Sequence, residues 1–560
     1  MMSARRTCVW RCLTALALAL GWIDDASAQT PRANPVEALR QTLESESDRA
    51  MRGADLTARV AALKSLNDLH RALFLREWRD HHPDPEVAIV DQKYRAIVGK
   101  RFEQMIRPIL RSTDKALSLR ALEQLDGIAA AEPEGCDPCR LMPALAGDLA
   151  ELTRRGQGEV REAAAKVLGR WHAEPEIAVP ALGTLLLIGT TAERVTAAGS
   201  LVQVIEEAGR LAGQPNNSAD KAQARRTLIL AARGAVPALA RGIKDKDPEV
   251  RRSCLEGLTA VARCSHCIVQ AWNVVGVEEN RDAARRQAEK CLAELLPLVR
   301  QLNDLGSCLP AVLNDPELPA RIGALHAVEE LATLRSEWMR HAKELAVGDD
   351  PLQQNLVTTL PALSRNLADR DVNVRRSTLE VLEVLGSTAR PAAPNIVRSL
   401  NDPDLFVRWA AARALGRLAP AEAATAVPAL VRLLGESDPG IRLTAVAALE
   451  HYGPAAKDAV PALLVRLRIQ DAELRTGVVR ALGSIASDSE AASRGLNEAL
   501  KDPSEMVRKS AGEALERLQA KRKESGGLLS YHRPPLPANH DAKNRAAEVA
   551  DSNSSGQIPR

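Results

Sequence analysis

Two C-x-x-C pairs, Cys136-Asp-Pro-Cys139 and Cys264-Ser-His-Cys267, are the residues of this chain best spaced for chemistry. Two such pairs can supply the four thiolates of a tetrahedral zinc site, and one pair alone can close a local disulfide or act as a redox couple. Residues 140–263 separate them, which argues against one shared site. Neither pair is followed by His, so covalent haem attachment is not indicated, and a thioredoxin-like strand–helix–strand setting is missing. Three readings stay open for each pair: a disulfide within a loop, unbridged thiols, or a metal or redox site. In an exported chain the disulfide is the first expectation.

Other chemistry is sparse. None of the ten histidines is followed by Glu. His81-His82, flanked by Asp80 and Asp84, reads as a solvated loop. The nucleophile elbow G-x-S-x-G, the phosphate-binding P-loop and the dinucleotide fingerprint are all missing from the sequence. A basic strip is the remaining candidate. Arg241, Arg365, Arg398 and Arg432 each stand four residues after a proline, and Arg466 stands one place later. On a helix that position faces solvent, where Arg365, Arg398, Arg432 and Arg466 would grip an acidic segment of a protein partner. The competing reading is neutralisation by an acid four residues on: Asp245, Asp369, Asp402 or Glu436. Such pairs are worth only ~0.2–0.5 kcal/mol.

The elements that must carry these residues repeat. Arg375, Arg408, Arg442, Arg475 and Arg508 recur at steps of 33–34 residues. Positions +3, +4, +7 and +10 from each are small or apolar, as in Ala411, Ala412, Leu415 and Leu418, which is one stripe of an α-helix. The rule finds further copies at Arg59, Arg161, Arg194, Arg251 and Arg321, and one with Ser118 in the arginine slot. Fourteen residues before most anchors lies a proline (Pro180, Pro237, Pro361, Pro394, Pro428, Pro461), which predicts a second helix starting there. Gly386 and Gly453 fall where helix C-caps belong. A pair of helices this short cannot bury its apolar face alone, so neighbours must stack. With three Phe, three Tyr and seven Trp in 560 residues, the core must be filled by Ala, Leu and Val.

The pattern D-x-D-x-x-V-R followed by A-x-x-A-L-G, nearest at residues 402–419, resembles the HEAT repeat in its short, phycobilin-lyase-like form. The resemblance implies an all-α, right-handed α-solenoid of antiparallel helix pairs. It also implies an Asp–Arg ladder between neighbouring repeats. The acids four before each anchor, Asp247, Asp371, Asp404, Asp438 and Asp471, are expected to form it, with breaks at 161, 194 and 508. The same repeat type builds a di-iron hydroxylase with His-Glu ligand pairs, which this chain lacks, and no pigment-binding constellation of a lyase is found.

Four segments follow. Residues 1–28 read as a cleaved secretory leader: Arg5, Arg6 and Arg11, an apolar run at 12–23, then Ala26-Ser27-Ala28, leaving Gln29 as the new N-terminus. The apolar run is shorter than the ~20 residues a bilayer requires, and the mature chain has no transmembrane stretch. Residues 29–50 read as a linker or frayed helix, 51–519 as the solenoid with an insertion loop at 213–224, and 520–560 as a disordered tail. The formal net charge of +3 gives no electrostatic reason to expect nucleic acid. The expected protein is an exported, non-catalytic scaffold without a cofactor. The alternative is an enzyme or enzyme-accessory protein with a metal or cofactor near the cysteine loops.

Overall fold

The anchor-based stripe is the inner face of a helix in the copies from Arg161 to Arg475, and is half-buried at Gly512 and Leu515 of the Arg508 copy. Ala411, Ala412, Leu415 and Leu418 have no exposed surface, and Val478, Val479, Leu482 and Ile485 have at most 2%. The copy with Ser118 in the arginine slot behaves alike, burying Ala121, Leu122 and Leu125. The computed structural model describes residues 103–104, 106–131, 143–171, 174–213, 218–270, 281–305, 308–344, 350–485 and 489–529. The leader, the Arg59 copy, His81, His82, Cys136, Cys139 and residues 530–560 lie outside them.

Two compact units divide at Ala421 and Glu422. The first holds α1 (Lys115–Ala131), α2 (Pro143–Arg155), α3 (Glu159–Arg170), α4 (Pro175–Ile188), α5 (Thr191–Gly213), α6 (Ser218–Gly242), α7 (Pro248–Gln270), α8 (Arg281–Asp304), α9 (Leu309–Val312), α10 (Leu318–Glu344), α11 (Gln353–Asn366), α12 (Val372–Leu385), α13 (Ala393–Ser399) and α14 (Leu405–Leu418). The second holds α15 (Ala423–Leu433), α16 (Pro439–Tyr452), α17 (Val460–Arg466), α18 (Ala472–Ile485), α19 (Glu490–Ala499) and α20 (Glu505–Leu529). No strand occurs among the described residues.

Within each unit the helices stack in serial order, giving an all-α solenoid. The anchor-bearing helices α1, α3, α5, α7, α10, α12 and α14 each pack on the next, as do α16, α18 and α20. Their partners form a second layer, α2 on α4, α4 on α6, α6 on α8, and α17 on α19. Serial stacking is what hides each pair's apolar stripe. The scarcity of rings is matched by close backbone approach. A Cβ on Gly483 would sit 2.7 Å from the Cβ of Ala514, and one on Gly169 would sit 2.7 Å from Ser200 Cα. The rare large ring is used as a plug: Trp171 is fully buried and its Nε1–H donates to the Leu125 carbonyl at 3.0 Å.

Three local expectations change. Pro394 and Pro461 do sit in a first turn, but Pro180, Pro237, Pro361 and Pro428 lie inside their helices. All six face outward, where the carbonyl that loses its N–H partner can reach water. What precedes the proline decides: the glycine-free stretch QQNLVTTL carries α11 back past Pro361, whereas a left-handed glycine interrupts the chain before Pro394 and Pro461. Gly386 (φ 54°) and Gly453 (φ 52°) close α12 and α16 as C-caps, and a short 3-10 turn follows each.

The insertion loop is shorter than the sequence suggested, because Ser218 already opens α6; Ala, Lys and Gln there favour helix. The uneven spacing between Arg251 and Arg375 comes from a second-layer element split into α8 and α9, followed by the long α10. Asn355 and Asn366 of α11 donate to the Leu302 and Leu313 carbonyls at 3.0 and 2.9 Å, which satisfies the two exposed helix ends. Finally, α20 runs to Leu529, past the boundary placed at 519. Lys, Arg and Glu extend a helix that packing has already nucleated, without needing an apolar stripe.

Candidate functional site

The loops before Arg251, Arg375 and Arg408 read D-x-D, and the two carboxylate positions do different work. The second caps the helix: Asp371, Asp404 and Asp471 each accept from the N–H groups of the first turn at 2.8–3.4 Å. That satisfies donors that have no partner within the helix. The anchor arginine then folds back over its own loop. Arg375 Nη1 donates to the carbonyls of Asp369 and Arg370 at 3.0 and 3.3 Å. Its free edge, Nε and Nη2, grips both oxygens of Asp402 in the next repeat at 2.8 and 3.0 Å. Asp402 also accepts from the Asp404 N–H, so its rotamer is fixed.

This is the ladder, and its acid is the first Asp of the motif, six residues before the next anchor. Arg194–Asp245, Arg251–Asp315, Arg321–Asp369 and Arg475–Asp502 repeat it at 2.7–3.0 Å, with side chains 8–17% exposed. The acids assigned from sequence, four before the anchor, are therefore helix caps. The breaks expected at 161 and 194 are absent. Arg194 has Asp245, and Arg161 has a substitute in the buried Glu193, which it holds at 2.9 Å with both Nε and Nη2. Burial opposes the charge on Glu193, yet the Thr190 N–H and the Arg161 guanidinium outweigh it and keep its pKa below the ordinary value. An acid at −6 recurs at 245, 315, 369, 402 and 502, as often as the one at −4, so spacing alone could not choose between them.

The cysteines part company. Cys264 and Cys267 lie on α7, not in a loop, and both are thiols. Cys264 is buried, close enough to α5 that a Cβ on Gly209 would meet its sulfur at 2.4 Å, while Cys267 is exposed. The two thiols are unbridged here, Cys264 buried against α5 and Cys267 open to solvent. Burial pushes the Cys264 thiol up to about 12, as it does that of Cys254. An alkylating reagent at neutral pH is accordingly expected to label Cys267 in the native protein and to reach Cys254 and Cys264 only after unfolding, as read by peptide mass. Cys136 and Cys139 lie outside the described residues.

The arginine strip is exposed as expected at Arg241, Arg365, Arg398 and Arg432, and half-buried at Arg466. Its expected neutralisation is not what forms in the first unit. Asp245, Asp369 and Asp402 are engaged by Arg194, Arg321 and Arg375. Arg365 instead donates from Nε to the Asn314 Oδ1 at 3.2 Å, and Arg398 from Nη1 to the Asn395 Oδ1 at 2.5 Å. Neutral amides orient these two guanidiniums without cancelling their charge. No described helix is long and apolar enough to cross a membrane.

Comparison with known families matches HEAT repeats at residues 359–450 and 427–516, and a single HEAT repeat at 235–265. No functionally curated relative matches the chain. Among solved structures it is similar to Kap95p, in a structure concerning RanGDP, with 14% identity, a TM-score of 0.42 and coverage of 93% of this chain and 62% of that one. It is also similar to the karyopherin Kap121p bound to the SUMO protease Ulp1p, with 15% identity, a TM-score of 0.43 and coverage of 94% and 51%. The chain thus spans between half and two thirds of the length of those chains.

Proposed function

We propose, from the match of residues 235–265 and 359–516 to HEAT repeats, that the chain is a non-catalytic HEAT-repeat scaffold that holds a protein partner through an acidic segment. The observation that carries this reading is the state of Arg365 and Arg398. Both are exposed, both are oriented by asparagine, and the acids nearest them in sequence are spent on the ladder. A guanidinium held by one neutral bond keeps its remaining donors for a carboxylate from outside. The repeats supply a track, since anchors such as Arg251, Arg321 and Arg375 are each tied to two successive loops.

The reading extends to place. A leader cleaved after Ala28 would put the mature chain, beginning at Gln29, outside the cytoplasm, and the partner with it. The test is a pull-down from the exported fraction with the mature chain as bait, its N-terminus read by mass. An acidic partner is expected to be retained, to weaken as salt rises, and to lose at least ~tenfold in affinity (about 1.4 kcal/mol) with Arg365→Glu/Arg398→Glu. A partner bound equally well by the reversed variant would show the strip to be a solvated face. A bait that begins at Met1 would remove the export reading. The catalytic alternative rests on Cys136 and Cys139; a stoichiometric metal lost with Cys136→Ser would revive it.

A further inference from the structure

The ladder of the second unit contains one rung that the sequence cannot complete. Arg442 folds over its loop as the other anchors do, donating from Nη1 to the carbonyls of Glu436 and Ser437 at 2.8 and 2.7 Å. Six residues before the next anchor, Arg475, the place of the bridging carboxylate is taken by Ile469, which is half-buried. Among the described residues no carboxylate stands at ion-pair distance from Arg442, and its Nε is buried without an acceptor. The loss is double. In the following loop Asp502 binds Arg475 at 2.8 and 2.9 Å and also accepts from the Ser504 N–H at 2.8 Å. The corresponding N–H, that of Asp471, has no such acceptor, because the Ile469 side chain cannot accept a hydrogen bond.

We infer that the joint between the α15–α16 pair and the α17–α18 pair is the compliant joint of the second unit, where the stack opens first under load. The apolar stripe across it is intact, since Val446, Leu449, Val478 and Leu482 are buried. Helix packing there is non-directional, the bidentate loop-to-loop rung that ties successive pairs elsewhere is missing, and the ion pair that does cross the joint, Arg480 to Glu450 at 3.5 Å, is long and half-exposed. A buried donor without an acceptor also raises the energy of the closed joint relative to an open one in which water reaches Arg442. Both effects lower the cost of opening at this joint and leave the α18–α20 joint, with its Arg475–Asp502 rung, unaffected. The inference does not depend on what the chain binds.

Hydrogen–deuterium exchange on the full chain tests it. Amides of residues 467–475 are expected to exchange faster than those of 500–508 in the native protein. Ile469→Asp supplies the missing carboxylate and should slow exchange across 467–475 about fivefold. Unchanged or faster exchange there, with the rest of the second unit keeping its pattern, would overturn the inference. A second comparison stands if that variant folds poorly: Arg475→Leu should speed exchange across the α18–α20 joint at least tenfold, whereas Arg442→Leu should change its own joint less than about threefold. Equal effects from the two arginines would mean that Arg442 is as well tied as Arg475, and the joint is not compliant.

Discussion

Leu482→Ala is expected to cost ~2–5 kcal/mol. Leu482 has no exposed surface and sits on the inner stripe of α18, between α16 and α20. The truncation leaves a cavity that helices already in close contact cannot collapse into; Gly483, the next residue, lies against Ala514 with no slack. Leu415→Ala on α14 should cost a similar amount, since it is equally buried. The form of the damage separates a solenoid from a globule. Each pair touches only its neighbours, so Leu482→Ala should loosen the second unit and leave α1–α14 protected. Denaturation followed by two local probes, one in each unit, should then give two midpoints. Coincident transitions, both displaced, would argue against serial stacking as the source of stability.

Asp502→Ala is expected to cost ~3 kcal/mol, more than any exposed ion pair here could. It strips Arg475 of a bidentate partner while the guanidinium stays pinned by the Ile469 and Gln470 carbonyls at 2.6 and 2.8 Å. Arg475 is 8% exposed, so the charge is left largely desolvated. The same variant removes the acceptor of the Ser504 N–H. The double variant Arg475→Leu/Asp502→Ala should recover part of the loss, because no orphan charge remains.

The bond from Arg475, followed by the Ser504 N–H, holds the Asp502 carboxyl below its ordinary value against the opposing effect of burial. A carboxylate with a lowered folded-state pKa contributes stability that is complete above its unfolded value, near 3.9. That contribution is lost as pH falls through the lower folded value. Wild-type protein should therefore lose stability on acidification below about pH 4 more steeply than Asp502→Ala. Parallel pH profiles would mean that the rung carries no net charge-dependent stability.

These outcomes rest on features of unequal legibility. The spacing of Ala411, Leu415 and Leu418, and its return around Arg475, specified helix, buried face and stacking together. Small and aliphatic residues at helical period leave one way to hide the stripe, which is against the next copy. Gly386 and Gly453 were readable as caps because a left-handed φ there is nearly a glycine property.

What one dimension could not decide was partnership. Asp402 and Asp404 are both acids near Arg408, and sequence distance favours the nearer one. The helix geometry instead turns Asp404 onto the first-turn N–H groups and turns Asp402 toward Arg375 of the preceding repeat, a residue far back along the chain. The same limit explains the strip: Arg398 and Asp402 are four apart, yet the ladder had already claimed the acid. It also explains Cys264 and Cys267, whose spacing suits a bridge in a loop but lies on a continuous helix. Periodicity is a property of the chain and determined the architecture; the pairing of charges and thiols depends on which loop or helix lies alongside, and only the stacked repeats settle that.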